Sequence, residues 1–162
     1  MTTIFGIDPG VSGGIAIIDD YLRAAHPMPI IKSGSATFID GGAIRKLIMG
    51  YKDSMVFLER AQAMPKQGVV SMFNYGVNFG FLKGMLDTLQ RPVELVRPAD
   101  WHRDVCKGYP GNKPKEKALA ACISLFPDVE LKATPRSRKP HDGMVDALLI
   151  AEYGRRRLGG SK

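Results

Sequence analysis

Four carboxylates carry the chemistry open to this chain: Asp8, Glu59, Asp142 and Asp146. Asp8 lies in Ile4-Phe5-Gly6-Ile7-Asp8-Pro9-Gly10, an apolar run closed by a turn signal, which reads as a buried strand. Glu59 closes a second apolar run, Met55–Leu58. Asp142 and Asp146 stand four residues apart at the head of an apolar segment, which puts them on one helical face. A carboxylate at the end of a buried strand is costly to desolvate unless something pairs with it. Two like charges on one helical face repel by a few tenths of a kcal/mol. A hard divalent cation relieves both penalties, and three or four oxygen ligands with open positions are what Mg²⁺ or Mn²⁺ takes. Two such ions, roughly 3.5–4 Å apart, activate a water and stabilise the leaving oxygen of a phosphodiester. Each acid also has a plainer use. Asp8 suits a turn, Glu59 a surface pair with Arg60 or Lys66, Asp142 a helix N-cap, and Asp146 the positive end of the helix dipole. His141 reads as a loop histidine or as a group that helps a proton leave.

The elements that must position these acids follow from the pattern of apolar residues. Thr2–Asp8 and Gly14–Asp19 form a tight hairpin, with a third strand near Leu22–Met28. Ser33–Gly42 is a Gly/Ser-containing connection, and Ala43–Tyr51 has helical spacing. The strand Met55–Leu58 precedes a long helix, Met72–Leu89, and a strand, Pro92–Val96. Helices over Pro114–Phe126 and Asp142–Arg157 complete the chain, the first with Pro in its opening turn. Three strands followed by alternating helices and strands predict an α/β fold, a mixed sheet with helices on its faces. Leu131–Pro140 is a Pro- and basic-rich loop. The long helix is apolar on several faces and carries Gly76, Gly80 and Gly84 four apart. Each glycine costs a helix roughly 0.8–1 kcal/mol relative to alanine. The stripe therefore suits close approach of another backbone, either within the monomer or from a second subunit.

At 162 residues the chain is expected to form one domain, residues 1–162, with a basic C-terminal tail from about 154. No apolar run reaches the roughly 18 residues of a membrane span, and the first residues lack the basic-then-apolar pattern of a secretory signal, so none is expected. Cys106 and Cys122 lack metal-ligand spacing and read as buried, reduced thiols in a cytoplasmic protein. Of the net charge of +7, residues 97–162 hold a surplus of six, which points to a polyanionic partner.

With its acids in this order the chain resembles the RuvC family of Holliday-junction resolvases, within the RNase H-like fold. The resemblance rests on Gly6-Ile7-Asp8-Pro9-Gly10, Phe57-Leu58-Glu59, Lys115-Glu116-Lys117 and Asp146-Ala147-Leu148 with Ile150-Ala151, and runs through nearly the whole chain. The compact length looks like a phage-type member. The resemblance implies a five-stranded mixed sheet, three antiparallel strands then two parallel, flanked by helices. It implies a homodimer that cuts two strands of like polarity in a four-way DNA junction, using Mg²⁺, with Mn²⁺ able to substitute and two ions per site. Products would carry a 5′-phosphate and a 3′-hydroxyl. Asp8, Glu59 and Asp146 would be metal ligands. The family places another Asp or His three residues before the last aspartate, where this chain has Gly143. Asp142, one helical turn away, is the preferred substitute and His141 its rival. Lys117, with Lys113 and Lys115, matches a lysine near the scissile phosphate. Arg103, Arg136, Arg138 and Lys139 would contact phosphates without reading bases. The Arg155-Arg156-Arg157 run is either a further contact or a solvated helix end. Some members carry a wedging aromatic three residues after the strand glutamate. Gln62 stands there, leaving Met64, Phe73 or Tyr75 for that task. Alternative functions are an RNase H-like nuclease processing RNA, similar to the YqgF family, a junction-binding protein without catalysis, and an actin-like ATPase, for which 162 residues are short.

Overall fold

A computed structural model of the chain describes residues 2–62 and 68–159. Met64 and Lys66 lie outside the described residues. Strands β1 (Thr3–Asp8), β2 (Gly14–Ile18) and β3 (Arg23–Pro27) form an antiparallel meander. Strands β6 (Ser54–Glu59) and β7 (Val93–Val96) add to the far side of β1 in parallel, giving the order β3-β2-β1-β6-β7. This is the expected mixed sheet of three antiparallel strands followed by two parallel ones. The central strands read as continuous apolar runs because both faces are covered.

Alternation along those strands sorts the core into two halves. Phe5, Ile7, Val56 and Leu58 face α1 (Gly41–Met49) and α2 (Val69–Thr88), meeting Ile44, Ile48, Leu82 and Leu86. Ile4 and Phe57 face α3 (Pro98–Val105), α4 (Pro114–Leu125) and α5 (Asp142–Leu158), meeting Trp101, Ala121, Leu148 and Ala151. Helix α5 lies directly on β1 and β2. The packing needs glycine: a side chain at Gly6 would meet the backbone of Ala147 and Ala151, and one at Gly143 the backbone of Gly13.

Two elements depart from the sequence reading. The connection placed at Ser33–Gly42 contains a β-hairpin, β4 (Ile30–Ser33) with β5 (Ala36–Ile39), turning at Gly34-Ser35 with Gly34 at φ +59°. Between β7 and α4 stands an additional helix, α3, started by Pro98 and anchored by Trp101 and Val105 one turn apart. The long helix begins three residues earlier than expected, at Val69. Only Leu82 and Leu86 of α2 are fully buried, and among the described residues nothing lies within 4 Å of a Cβ built at Gly76, Gly80 or Gly84. The glycine stripe therefore does not serve packing within the monomer. Cys106 and Cys122 are free and buried, as expected. Among the described residues no helix is long and apolar enough to cross a membrane.

Candidate active site

Asp8 and Glu59 are the last residues of β1 and β6. The parallel register pairs Ile7 with Leu58, so the next residues set the two carboxylates side by side at the carboxyl edge of the sheet. Strand alternation turns both toward α5. Asp146, in the second turn of α5, reaches the same edge because Gly6 and Gly143 let that helix settle onto the strands. Three half-buried acids from three elements thus lie at one edge, close enough for their charges to act on one another.

Their electrostatics record the crowding. Burial, then the charges of Glu59 and Asp146, push the Asp8 carboxyl well above the usual range. Burial, then Glu59 and Asp142, raise Asp146 to about 7. Glu59 is raised by burial, against the pull of two hydrogen bonds. Its Oε1 accepts from the indole Nε1 of Trp101 at 2.8 Å, and its Oε2 from the hydroxyl of Tyr75 at 3.1 Å. Burial and the charges of Glu59 and Asp8 push the Tyr75 hydroxyl far above a free tyrosine, so it stays a donor. Glu59 was expected to choose between a cation and a surface arginine or lysine. Its observed partners are aromatic, and Trp101 had no place in the sequence reading.

The head of α5 divides the tasks of His141 and Asp142. His141, not Asp142, is the N-cap, and its Nδ1 accepts from the Met144 N–H at 3.3 Å. Asp142 is 69 % exposed and pairs with Lys115 Nζ at 2.5 Å. Lys115 in turn lowers the pKa values of Asp8 and Asp146, so it is the lysine felt by the cluster. A small cavity of about 280 Å³ joins Lys115, Lys139, Asp142 and Asp146. Lys117 projects elsewhere. It lines a groove of about 790 Å³ between α3 and α4 with His102, Arg103, Lys107 and Lys113. Two positions apart on α4, Lys115 and Lys117 point to different sides of the helix.

The remaining basic residues separate by partner. Arg136, Arg138 and Lys139 lie exposed in the loop before α5. Arg103 is exposed and bonded to Asp100 at 3.1 Å. The Arg155-Arg156-Arg157 run is largely tied internally. Arg155 and Arg156 both donate to the buried Glu152, Arg156 also to Asp104, and Arg157 pairs with Glu94. Among the aromatics considered as wedges, Tyr75 is turned inward to Glu59, whereas Phe73 is exposed.

Among the described residues no three His, Cys, Asp or Glu side chains converge into a ready cage for a metal ion. The donor set nevertheless suits a hard cation. It is all oxygen, crowded and half-buried, and its acids are pushed toward protonation by burial and mutual charge, the penalty a divalent ion removes.

No family model matches the chain, and a search of curated proteins finds no match. Solved structures do match. Thermus thermophilus RuvC superposes with a TM-score of 0.59 at 18 % identity, covering 99 % of each chain. T. thermophilus RuvC in complex with a Holliday junction substrate gives the same TM-score at 15 % identity, covering 98 % of this chain and 97 % of that one. Sheet order, flanking helices and end-to-end coverage together show that this chain has the RNase H-like fold of those RuvC structures.

Proposed function

We propose that the chain is a Mg²⁺-dependent endonuclease that resolves four-way DNA junctions. The observation that carries this reading is the electrostatic coupling of Asp8, Glu59 and Asp146 at the carboxyl edge of the sheet, in a fold shared end to end with RuvC. Asp8, Glu59 and Asp146 hold the cations, two per site, and Asp142 adds negative charge at the rim. When bound, Mg²⁺ (or Mn²⁺ in its place) lowers the pKa of an attacking water and offsets charge on the phosphodiester. Lys115 stands beside the acids to receive the scissile phosphate, and Lys139 flanks it across the same cavity. His141 fixes the start of α5 and so the placing of Asp142 and Asp146. Arg103, Lys113 and Lys117 in the α3–α4 groove, with Arg136 and Arg138 on the loop, hold the duplex arms by their phosphates. The products carry a 5′-phosphate and a 3′-hydroxyl, and the protein works in the cytoplasm, where its two thiols stay reduced.

Two copies act together. Helix α2 exposes Val69, Phe73, Val77 and Phe81 in one stripe beside Gly76, Gly80 and Gly84, a surface fitted to a second copy of itself about a twofold axis.

The test is cleavage in Mg²⁺ of a mobile four-way DNA junction beside flaps, forks, linear duplex and structured RNA. Paired symmetrical cuts in the junction are expected. Asp8→Asn should abolish cutting while junction binding persists, because binding rests on Lys and Arg. Cleavage of the RNA alone, or joint loss of binding and cutting in a folded Asp8→Asn chain, would overturn the reading.

A further inference from the structure

We infer that Tyr75 and Trp101 are positioning residues that clamp the Glu59 carboxylate in the orientation from which it takes a cation. The inference rests on the assignment of Glu59 as a metal ligand. Glu59 ends its strand, and nothing in β6 itself fixes the plane of its carboxylate. Two donors from separate elements do so. The Tyr75 hydroxyl comes from α2 and bonds Oε2 at 3.1 Å, and the Trp101 indole comes from α3 and bonds Oε1 at 2.8 Å. Rotation of the carboxylate would break both bonds at once. An ionised carboxylate offers about four lone-pair sites, so each oxygen keeps one free after the two donors are served.

The donors are themselves held. Trp101 is 1 % exposed, packed in the core under α5, and its ring stacks on His102 at 3.9 Å between centroids. Indole nitrogen donates only, so burial of Trp101 obliges it to find an acceptor, and the one it has is the proposed ligand. Tyr75 sits on the same helix as the exposed Phe73 and Val77, so the seating of α2 and the orientation of Glu59 are linked. Groups that orient a ligand in this way typically change metal affinity or activity by 10–100-fold when lost.

The experiment uses Tyr75→Phe, which removes one hydroxyl, and Trp101→Phe, which removes the indole N–H but keeps a buried ring. Cation binding to the full chain is followed by calorimetry with Mg²⁺ and, for the wild type and Tyr75→Phe, by emission of Trp101, the chain's single tryptophan. In the wild type, Mg²⁺ should change the emission with a saturable midpoint, and Glu59→Gln should remove that response. Tyr75→Phe should raise the calorimetric and emission midpoints roughly tenfold. In cleavage assays it should raise the Mg²⁺ needed for half-maximal rate by a similar factor, leave junction binding in EDTA unchanged, and recover with excess Mg²⁺. Trp101→Phe should behave alike where it folds, and Tyr75→Phe decides where it does not. A Tyr75→Phe chain with the wild-type midpoint overturns the inference, as does a wild-type chain that binds no cation by calorimetry. A wild-type chain that binds Mg²⁺ yet cuts no branched DNA sinks the nuclease reading instead, and the midpoint comparison still decides the role of Tyr75.

Discussion

At the scale of single residues, burial and crowding make the acids costly to ionise. Asp146 is raised to about 7 and Asp8 well above its ordinary value, both first by burial. A carboxyl whose pKa is higher folded than unfolded binds more protons in the folded state over the interval between the two values. Its stabilising contribution is complete below the unfolded pKa, near 3.8 for aspartate, and is lost as pH rises through the folded value. The melting temperature in EDTA should therefore fall as pH rises toward and through about 7. Added Mg²⁺ should reverse the fall, since cation binding needs the ionised form. Asp146→Asn should flatten this pH profile and stabilise the metal-free protein at neutral pH by on the order of 1 kcal/mol. A profile that rises over the same interval in the parent chain would contradict the raised carboxyls. Lys115 belongs to this scale too. Facing the acids, it offsets part of their repulsion, so Lys115→Ala should slow cleavage strongly, whereas Lys117→Ala, on the α3–α4 side, should mainly weaken junction binding.

At the scale of elements, what was legible depended on whether the signal was local. Asp8 and Glu59 were readable because an apolar run ending in an acid is a pattern within one strand. The hairpin at Gly34-Ser35 was also written locally, as a two-residue turn between Ile30-Ile31 and Phe38-Ile39, but exposed apolar strands lack the alternation that marks a half-buried one. Helix α3 was signalled by Pro98 and the Trp101/Val105 spacing, yet eight residues give periodicity little room. The partners of Glu59 were not legible, because Tyr75 and Trp101 lie 16 and 42 residues away and meet it only through the fold. Equally, nothing local announced that Gly6 and Gly143 exist for α5 to lie on β1 and β2. Gly143→Val tests that contact. Its side chain would meet the backbone of Gly13, lift the head of α5 and displace Asp146. A loss of roughly 1–3 kcal/mol in denaturant unfolding is expected, with cleavage lost before binding. A stable, active Gly143→Val chain would show that the close approach is not needed.

At the scale of the whole molecule, α2 presents a cost that the monomer does not repay. Gly76, Gly80 and Gly84 each weaken the helix, and each faces open space. Phe73, Val77 and Phe81, on the adjoining stripe, are 69 %, 53 % and 47 % exposed. Phe81 packs in part against Gly41 at the head of α1, but much of this apolar area stays exposed in the monomer, whereas a symmetric pair of α2 helices would gain close backbone approach and buried apolar area at once. The two explanations separate in one variant. Gly80→Leu improves helix propensity, and its Cβ meets no described atom within 4 Å, so the isolated subunit should be as stable as the parent or more so, by up to about 1 kcal/mol. In the proposed dimer the same side chain would stand where the partner helix approaches. Light scattering at micromolar concentration should then give a dimer for the parent chain and a monomer for Gly80→Leu, with paired junction cuts replaced by single nicks. A parent chain that is itself monomeric at that concentration would remove the dimer and leave the glycine stripe without a role.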